Sequence, residues 1–476
     1  MGRWAADWPA SVHMLGVGGI AMSSLAALFA RNGVDVRGSD VQVYPPASEV
    51  LADSGIEVMT PYDSANLERP ASLYVVGNAI ARGNPELEVL LERGAPICSM
   101  AELIERLLIP GRRPSVVAGT HGKTTTSSML AHIHLSAGRD PSFFVGGTFG
   151  GMESGARLGE GPDIVIEGDE YDTAFFDKGP KFLHYWPQIA VLGPVEFDHA
   201  DIYRDLEDVE RAFERFLRLL PSSGTLVVDG DAASSVKLAR AAPGRSVELG
   251  FSDGAAARVE IVEQGAEMQT FRLIWPVAGE VEVELPMLGV HNAKNASAAI
   301  VAATVAGVGM ELAANSLGTF RPPRRRLERI GGWRGAELFD DFAHHPTSIG
   351  LTLDALRSSV RDGGRLVACV EPRSNTMVRR IVQDALESTL AKADVVLLAP
   401  VHRPERFAAP ELLDVEALTA TLRRSGIEAH GPLRLESFAG RLEELLRPGD
   451  LVVIMSNGAF GGLTHELSER CRVGEA

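Results

Sequence analysis

A glycine turn between an apolar run and a helical pattern is the feature that most constrains this chain. The apolar run covers residues 115–118, the turn begins at Gly119, and Lys123 and Thr124 open the helical pattern. This order predicts a phosphate-binding loop, because backbone N–H groups at a helix N-terminus face phosphate oxygens. A glycine usually stands five residues before the Gly-Lys pair. Val117 holds that position here, so the loop is a shortened variant. The alternative is an ordinary strand–turn–helix junction.

Length and composition limit the class of protein. With 476 residues the chain is too long for one hydrophobic core, and two to four domains are expected. Hydrophobic residues make up 45% and charged residues 23%, which is typical of a globular protein. The net charge of −17 argues against nonspecific binding to nucleic acid or to anionic membranes.

Cysteine usage and hydropathy favour a cytoplasmic location. The three cysteines lack Cys-x-x-Cys spacing, so they indicate neither a disulfide framework nor a zinc site. Residues 1–8 contain no apolar stretch of signal-peptide length, and no apolar run approaches the ~20 residues that span a bilayer. The oligomeric state is open between monomer and dimer.

Alternating strand and helix patterns predict an α/β protein of three domains. Breaker-rich stretches at 109–114 and 320–326 separate them. We predict a Rossmann-like domain over residues 1–112, a P-loop ATPase-like domain over 113–322 and a second Rossmann-like domain over 323–476. Predicted helices cover 20–31, 208–220 and 293–305, and predicted strands cover 12–17, 34–38, 73–76, 164–167, 189–192, 365–370, 395–399 and 451–455.

A second glycine turn lies near the N-terminus. Gly16, Gly18 and Ala21 follow a predicted strand, and Asp40 lies about 20 residues further on, as in a dinucleotide-binding fingerprint. The pattern suits NAD and a nucleotide-sugar diphosphate equally, because it concerns a pyrophosphate and a ribose hydroxyl. A tight turn that serves packing alone is the third interpretation.

Carboxylates and a histidine follow two further predicted strands. Glu167 opens a stretch of four carboxylates that ends at Asp172, and His199 lies among Glu196, Asp198 and Asp201. Ligands of α/β proteins bind at the carboxyl ends of strands. Carboxylate oxygens suit Mg²⁺ bridging nucleotide phosphates, and His199 could be a metal ligand or an acid/base group. A solvated acidic loop is the alternative.

Five stretches, in order along the chain, resemble the motif series of the Mur ligases, which join amino acids or peptides to UDP-N-acetylmuramic acid using ATP. They are Gly-Thr-His-Gly-Lys-Thr-Thr at 119–125, Glu-Gly-Asp-Glu at 167–170, Glu-Phe-Asp-His-Ala-Asp at 196–201, Gly-Val-His-Asn-Ala-Lys-Asn at 289–295 and Asp-Asp-Phe-Ala-His-His-Pro-Thr at 340–347. The resemblance runs from about residue 11 to about residue 460. It implies that the first domain binds the UDP-sugar, that the second binds ATP, and that the third binds the incoming peptide and closes on ATP, with the two breaker stretches as hinges.

The resemblance also implies roles for individual residues. Lys123, Glu167 and His199 would be catalytic, and Thr124, Glu167 and His199 would hold Mg²⁺. ATP would contact Gly119, Thr120, His121, Gly122, Lys123, Thr124, Thr125, His291, Asn292, Asn295, Arg326 and Asp341. The other substrates would contact Gly16, Gly18, Gly19, Ser39, Asp40, Asn78, His344, His345, Arg373 and Asn375. From the residues alone, Asn292 is equally placed to be a helix N-cap, and Arg324 and Arg325 fit a solvated linker equally well.

Two branches of the family fit. One adds L-alanine to UDP-N-acetylmuramate, and the other adds recycled L-alanyl-γ-D-glutamyl-meso-diaminopimelate to the same acceptor. Residues 76–85, 170–185, 197–202 and 371–377 resemble the second branch. Arg373 is a candidate for bidentate capture of a peptide carboxylate. The reaction implied is phosphorylation of the lactyl carboxylate by ATP, followed by attack of the peptide amine on the acyl phosphate.

The chain departs from the family pattern at two places. No lysine lies between Lys181 and Lys237, where several members carry a carbamylated lysine, and Gly193-Pro194 replaces a usual asparagine. Two other function classes stay open on the residues. One is an NAD-dependent Rossmann oxidoreductase, and the other is a nucleotide-binding protein without catalysis.

Overall fold

The computed structural model describes residues 7–152 and 154–474, and their strands form three sheets. Residues 1–6, part of the segment inspected for a signal peptide, lie outside the described residues. The sheets use strands from residues 11–99, 113–285 and 328–455. The predicted α/β class is confirmed. The predicted limits at 112 and 322 fall between the sheets and stay predictions.

The first sheet is parallel, with strand order β3-β2-β1-β4-β5. Its strands are β1 (Ser11–Leu15), β2 (Asp35–Ser39), β3 (Glu57–Met59), β4 (Leu73–Val76) and β5 (Ile97–Ser99). Its helices are α1 (Ile20–Arg31), α2 (Ala47–Asp53), α3 (Pro85–Glu92) and α4 (Met100–Leu107). Helix α4 begins at a capping box in which Ser99 and Glu102 satisfy each other's backbone N–H groups. The second glycine turn lies between β1 and α1, at the carboxyl edge of this sheet.

The central sheet has ten strands in the order β15-β14-β13-β12-β11-β10-β6-β9-β7-β8. They are β6 (Arg113–Ala118), β7 (Ser142–Phe144), β8 (Ala156–Arg157), β9 (Asp163–Glu167), β10 (Ile189–Leu192), β11 (Thr225–Asp229), β12 (Arg245–Gly250), β13 (Ala257–Gln264), β14 (Gln269–Trp275) and β15 (Gly279–Leu285). Strand β6 lies between β9 and β10 and is parallel to both. The phosphate loop after β6, the acidic stretch that begins at Glu167 at the end of β9, and the Glu196–Asp201 stretch after β10 therefore meet at one edge of the sheet.

Helices α5 and α8 pack together on one face of the central sheet. The helices of this domain are α5 (Lys123–Ser136), α6 (Leu206–Leu217), α7 (Ala233–Ala239), α8 (Val290–Val305) and α9 (Met310–Ser316). Helix α8 packs against α5, and its alanines from Ala296 to Ala303 are buried. Small side chains let the two helices approach closely, and a helix that is apolar on most sides lies inside the fold. Lys123 is thereby fixed at the start of a buried helix.

The third sheet has the order β16-β17-β21-β18-β19-β20, parallel except for the β16–β17 pair. Its strands are β16 (Glu328–Trp333), β17 (Ala336–Asp341), β18 (Leu366–Val370), β19 (Val395–Leu398), β20 (Glu428–His430) and β21 (Leu451–Met455). Its helices are α10 (Pro346–Arg357), α11 (Gln383–Leu390), α12 (Val415–Arg424), α13 (Leu435–Leu445) and α14 (Leu463–Gly474). Every residue of β18 and β21 is buried, as expected for parallel strands that are covered on both faces.

The predicted elements are present, but some of their ends differ. Helix α6 begins at Leu206, because Asp205 accepts a hydrogen bond from the backbone N–H of Asp208 and caps the helix. Helix α8 begins at Val290 after Gly289, whose φ of 91° suits glycine alone. Asn292 therefore lies inside the helix, and its interpretation as the N-cap is wrong. No helix in the described part of the chain is long and apolar enough to span a membrane.

A histidine joins the first domain to the central one. Nδ1 of His184 lies 2.8 Å from Glu105 of α4, and its Nε2 lies 2.9 Å from Asp177. Trp186 donates a further hydrogen bond to Glu105. Burial opposes the charged imidazole, but the two carboxylates outweigh it, and the pKa of His184 is raised.

The raised pKa of His184 makes this contact dependent on pH. Stability from the charged ring is complete below the unfolded pKa of about 6.5 and is lost as the pH rises through the higher folded value. We expect His184→Gln to cost about 2 kcal/mol near pH 6 and clearly less near pH 9. Thermal unfolding at both pH values measures this difference. His465→Gln, at a side chain that is 81% exposed, is the control. An equal loss from His184→Gln at both pH values would contradict the account.

Candidate active site

A cavity of about 310 Å³ lies where the central domain meets the third domain. Its lining includes most of the residues that the resemblance assigned to ATP and metal. They are Thr120, His121, Gly122, Lys123, Thr124, Thr125, Glu167, His199, His291, Asn292, Asn295, Arg326 and Asp341. The other polar residues of its lining are Asp169, Tyr171, Asp198, Ser348, Thr352, Asn457 and His344, the last of which was predicted to face the peptide.

The backbone of Gly193-Pro194 supports the phosphate loop directly. The N–H of Thr120 donates to the carbonyl of Pro194 at 2.7 Å, and the N–H of Gly193 donates to Ala118 at 2.9 Å. Gly119 has φ of 136°, and a Cβ there would lie 3.0 Å from the backbone of Gly193. Close packing of two backbones thus occupies the place where the family usually has an asparagine.

Lys123 is held in an ion network beneath the loop. Its ammonium donates to the carbonyl of Gly119 at 2.8 Å and to both oxygens of Glu170 at 2.8 and 2.6 Å. Nε2 of His199 lies 2.9 Å from the same carboxylate. Burial disfavours each charge, yet mutual attraction prevails: the pKa values of Lys123 and His199 are raised and that of Glu170 is lowered.

Glu167 and Thr124 form a pair that suits a divalent cation. The Thr124 hydroxyl donates to Glu167 at 2.8 Å, and the N–H of Gly146 donates to the other oxygen at 2.6 Å. Burial raises the pKa of Glu167, although Lys123 lies nearby. A cation would offset this desolvation, and hydroxyl and carboxylate oxygens are ligands that Mg²⁺ prefers. The donor set therefore fits the predicted metal, and His199 lines the same cavity.

The third domain closes the cavity with an arginine and an aspartate. Arg326 donates to the Thr124 hydroxyl at 3.1 Å, which brings its cation to the phosphate loop. Asp341 is buried and accepts hydrogen bonds from the N–H groups of Leu327 and Ala343. Arg325 instead pairs with Asp340 at 3.1 Å, so the solvated-linker interpretation is wrong for Arg325. Arg324 is exposed, as a linker residue would be.

A second cavity of about 310 Å³ adjoins the first and is mainly apolar. His291 and Asn295 line both cavities. Burial lowers the pKa of His291 to about 4, and its Nδ1 has no hydrogen-bond partner among the described residues. The amide of Asn292 donates to the carbonyl of Leu288, and Asn295 donates to Asn292 at 3.2 Å. A flat heteroaromatic ring with polar edges would fit this cavity.

The predicted N-terminal residues lie outside the linings of both cavities. Gly16 and Gly18 form the turn after β1, Gly19 is exposed before α1, and Asp40 accepts the N–H of Gly18 at 2.8 Å. Asn78 is exposed in the turn after β4.

Ser39 needs a correction. Its side chain is fully buried and donates to Glu86, and its carbonyl accepts from the backbone N–H groups of Gly16 and Val17. It therefore supports the turn and offers no hydroxyl to a substrate.

The residues predicted to face the peptide divide into two groups. Nδ1 of His344 is 2.8 Å from the carbonyl of Phe342, and burial lowers the pKa of His344 to about 4. His345 precedes α10 and lies next to His121. Arg373 and Asn375 follow β18 and do not line the cavity in the described structure. The Arg373 guanidinium is 3.4 Å from Glu371 and 3.5 Å from His402, and it is partly exposed.

Two contributors were not singled out from the sequence. Glu170 lies in a quoted motif, but nothing in its pattern distinguishes it from Asp169 as the partner of Lys123. Asn457 follows β21, and its side-chain oxygen is buried without a hydrogen-bond partner among the described residues. Its position after a buried strand is the signal that could have identified it.

Family profiles match all three parts of the chain. "Mur ligase family, catalytic domain" matches residues 11–110, "Mur ligase middle domain" residues 117–303 and "Mur ligase, glutamate ligase domain" residues 325–458. The chain belongs to the Mur ligase family. The predicted membership and enzyme class are confirmed. Three consecutive ligase domains also remove the interpretation as an NAD-dependent oxidoreductase.

Individual relatives resemble this Mur ligase over its length. UDP-N-acetylmuramate–L-alanyl-γ-D-glutamyl-meso-2,6-diaminoheptandioate ligase of Escherichia coli K12 is 39% identical over 468 residues, 96% of this chain and 97% of that protein. UDP-N-acetylmuramate–L-alanine ligase of Rubrobacter xylanophilus is 33% identical, over 96% of this chain and 99% of that protein. The crystal structure of a murein peptide ligase from Psychrobacter arcticus 273-4 has a TM-score of 0.73 at 32% identity, with 97% and 98% coverage.

The close approach of Gly119 to Gly193 predicts a selective loss of nucleotide binding. We expect Gly119→Ala to weaken ATP binding at least about tenfold, because the added Cβ forces the loop off Gly193. Gly111→Ala is the matched control, because Gly111 also has positive φ but no atom lies within 4 Å of its added Cβ. Isothermal titration calorimetry with ATP measures both affinities. Equal affinities for the two variants would contradict the role given to this backbone contact.

Proposed function

We propose that this Mur ligase joins L-alanyl-γ-D-glutamyl-meso-diaminopimelate to UDP-N-acetylmuramate at the expense of ATP. The observation that carries the proposal is the ion network of Lys123, Glu170 and His199 at the end of the phosphate loop. It supplies a fixed cation for phosphates beside groups suited to a metal. The choice of substrate rests on similarity to the ligases that use this peptide. The reaction would take place in the cytoplasm and serve peptidoglycan recycling.

The chemistry follows from the need to activate a carboxylate. The lactyl carboxylate oxygen attacks the γ-phosphorus of ATP, the bond to the β-phosphate oxygen breaks, and ADP leaves. The amine of the peptide's L-alanine then attacks the acyl carbon and loses a proton. Phosphate departs with the former carboxylate oxygen. Catalysis of this kind consists mainly of positioning and charge neutralisation.

Residues of two domains would bind the triphosphate. The loop amides and Lys123 would hold the β- and γ-phosphates, and Arg326 would approach them from the third domain. Thr124, Glu167 and His199 would hold Mg²⁺, which neutralises phosphate charge when bound. Loss of the Lys123–Glu170 contact, with Glu170 kept by its hydrogen bond to His199, would free the ammonium for the phosphates.

The base and ribose of ATP would use the second cavity and its rim. The apolar walls suit an adenine ring, and the unpartnered Nδ1 of His291 is a polar contact for its edge. Asn292 and Asn295 lie next to it on α8. Asp341 would accept a hydrogen bond from a ribose hydroxyl. The glycine turn with Asp40 would bind the diphosphate of the UDP-sugar at the edge of the first sheet.

The peptide would enter from the third domain. Arg373 is partly exposed, and its planar cation suits one of the peptide's carboxylates. Asn375 lies two residues further on, Ser374 donates to the carbonyl of His344, and the His345 ring lies next to that of His121 in the phosphate loop. L-alanine is the competing substrate, because related ligases at 33% identity use it.

A phosphate-release assay with ATP, Mg²⁺ and UDP-N-acetylmuramate tests the proposed substrate. L-alanine and the tripeptide are offered in parallel. We expect turnover with the tripeptide and at least about a hundredfold lower kcat/KM with L-alanine, since L-alanine has no distal carboxylates to bind. Equal or better turnover with L-alanine would reject the tripeptide assignment. ATP binding without turnover on either substrate would favour a nucleotide-binding protein without catalysis.

Arg373→Lys refines this assay. A lysine keeps the charge but loses bidentate geometry, so KM for the tripeptide should rise about tenfold while KM for ATP stays unchanged. Arg380→Lys, at an exposed arginine nearby, is the control. A KM for the tripeptide unchanged by Arg373→Lys would exclude Arg373 from peptide binding.

A further inference from the structure

Three potential metal ligands meet behind the phosphate loop. His121 belongs to the loop, Glu196 follows β10, and His345 precedes α10 of the third domain. Nε2 of His121 lies 3.1 Å from Oε2 of Glu196, and Nδ1 of His345 lies 3.5 Å from the same oxygen. One donor atom from each residue lies within 4.8 Å of the others. These atoms are distinct from those of Thr124, Glu167 and His199.

Two hydrogen-bond acceptors face each other in this cluster, Nδ1 of His345 and the carboxylate of Glu196. Nδ1 of His345 accepts a hydrogen bond from the N–H of Thr347, so it carries no proton. It nevertheless faces the Glu196 carboxylate, which also accepts hydrogen bonds. The Thr347 hydroxyl donates to that carboxylate at 2.6 Å. An acceptor 3.5 Å from an anionic acceptor is unfavourable, and a cation between the two would bind both.

The spacing matches a transition metal better than Mg²⁺. Zinc–ligand bonds of about 2.0–2.2 Å place tetrahedral ligands roughly 3.3–3.6 Å apart, close to the separations of 3.1 and 3.5 Å found here. Imidazole nitrogens suit zinc, whereas Mg²⁺ prefers oxygen ligands. Two histidines and one glutamate form a donor set that leaves a fourth position for water.

The surroundings orient the ligands as they do in metal sites. The Thr347 hydroxyl fixes the Glu196 carboxylate, and the His345 ring forms a further hydrogen bond with the backbone of Phe197. The side chains of both histidines are 12% exposed and that of Glu196 is 34% exposed, so a cation can reach them.

We propose that His121, Glu196 and His345 form a binding site for Zn²⁺ or a similar transition metal. Its ligands come from two domains, so a bound ion ties the phosphate loop to the N-terminus of α10. Such an ion would hold the cavity closed and slow the exchange of nucleotides. The metal-site proposal holds whichever amino-acid or peptide substrate the ligase uses.

Direct metal binding tests the site. Zn²⁺ is titrated into the full chain by calorimetry with excess Mg²⁺ present, and Co²⁺ is followed by its visible absorption. We expect one tight Zn²⁺ per chain, an intense tetrahedral Co²⁺ spectrum and a higher melting temperature with Zn²⁺. Glu196→Gln should weaken Zn²⁺ binding at least about tenfold. Glu207→Gln, at a side chain that is 78% exposed on α6, should leave it unchanged.

Two further results separate this site from the predicted Mg²⁺ site. His199→Asn should retain the Zn²⁺ affinity and the Co²⁺ spectrum, because His199 lies outside the cluster. Melting curves without metal establish that each variant is folded. Binding that persists in Glu196→Gln, binding that is lost only in His199→Asn, or no tight binding to the unaltered chain would each overturn the proposal.

Discussion

The arrangement of the active site depends on how the ammonium of Lys123 is neutralised. Helix α5 places it under the phosphate loop, where burial would disfavour its charge. Glu170 and the carbonyl of Gly119 keep it charged and hold it at the end of the loop. Breaking a buried ion pair leaves one uncompensated charge and costs about 3–5 kcal/mol. The loop is therefore organised before a nucleotide arrives, with Glu170 in the position that phosphates would take over.

The same charges create a need for cations. Glu167, Asp169, Glu170 and Asp198 line or adjoin the cavity, against Lys123 and the protonatable His199. Asp169 is balanced by Lys181, which helps to lower the pKa of Asp169 to about 2 against the effect of burial. Among the described residues Glu167 forms no ion pair, and burial raises its pKa although Lys123 and Arg326 lie nearby. Mg²⁺ and Arg326 would supply the missing positive charge only when the third domain is close.

Sheet topology explains how distant motifs come together. The stretches that begin at residues 119, 167 and 196 follow β6, β9 and β10, which are adjacent parallel strands. The carboxyl ends of these strands share one edge of the sheet. The three stretches are therefore neighbours in the fold, although about 50 and 30 residues separate them along the chain. The third domain approaches this edge with Arg326, which precedes β16, and with Thr347 at the start of α10.

Much of the fold and of the phosphate site could be predicted from the sequence. Apolar runs flanked by glycine or polar residues located β4, β10 and β21 at their observed bounds. The start of α8 was harder to predict, because Gly289 acts through its backbone conformation and leaves Asn292 inside the helix. The environment of Ser39 was also hard to predict from the local sequence. Its motif position suggested contact with a substrate, whereas the partner that buries it, Glu86, lies 47 residues away. Pairings such as Lys123 with Glu170, or His345 with Glu196, depend on domain packing that no local pattern contains.

The proposed reaction requires that a carboxylate of UDP-N-acetylmuramate be activated by phosphorylation in this cavity. The most direct measurement uses UDP-N-acetylmuramate with both oxygens of its lactyl carboxylate labelled with ¹⁸O, together with ATP, Mg²⁺ and the tripeptide. Mass spectrometry then reads the isotope content of the released phosphate. An acyl phosphate intermediate predicts one ¹⁸O in each phosphate and one remaining in the new amide carbonyl. Unlabelled phosphate released together with the ligated product would contradict the account.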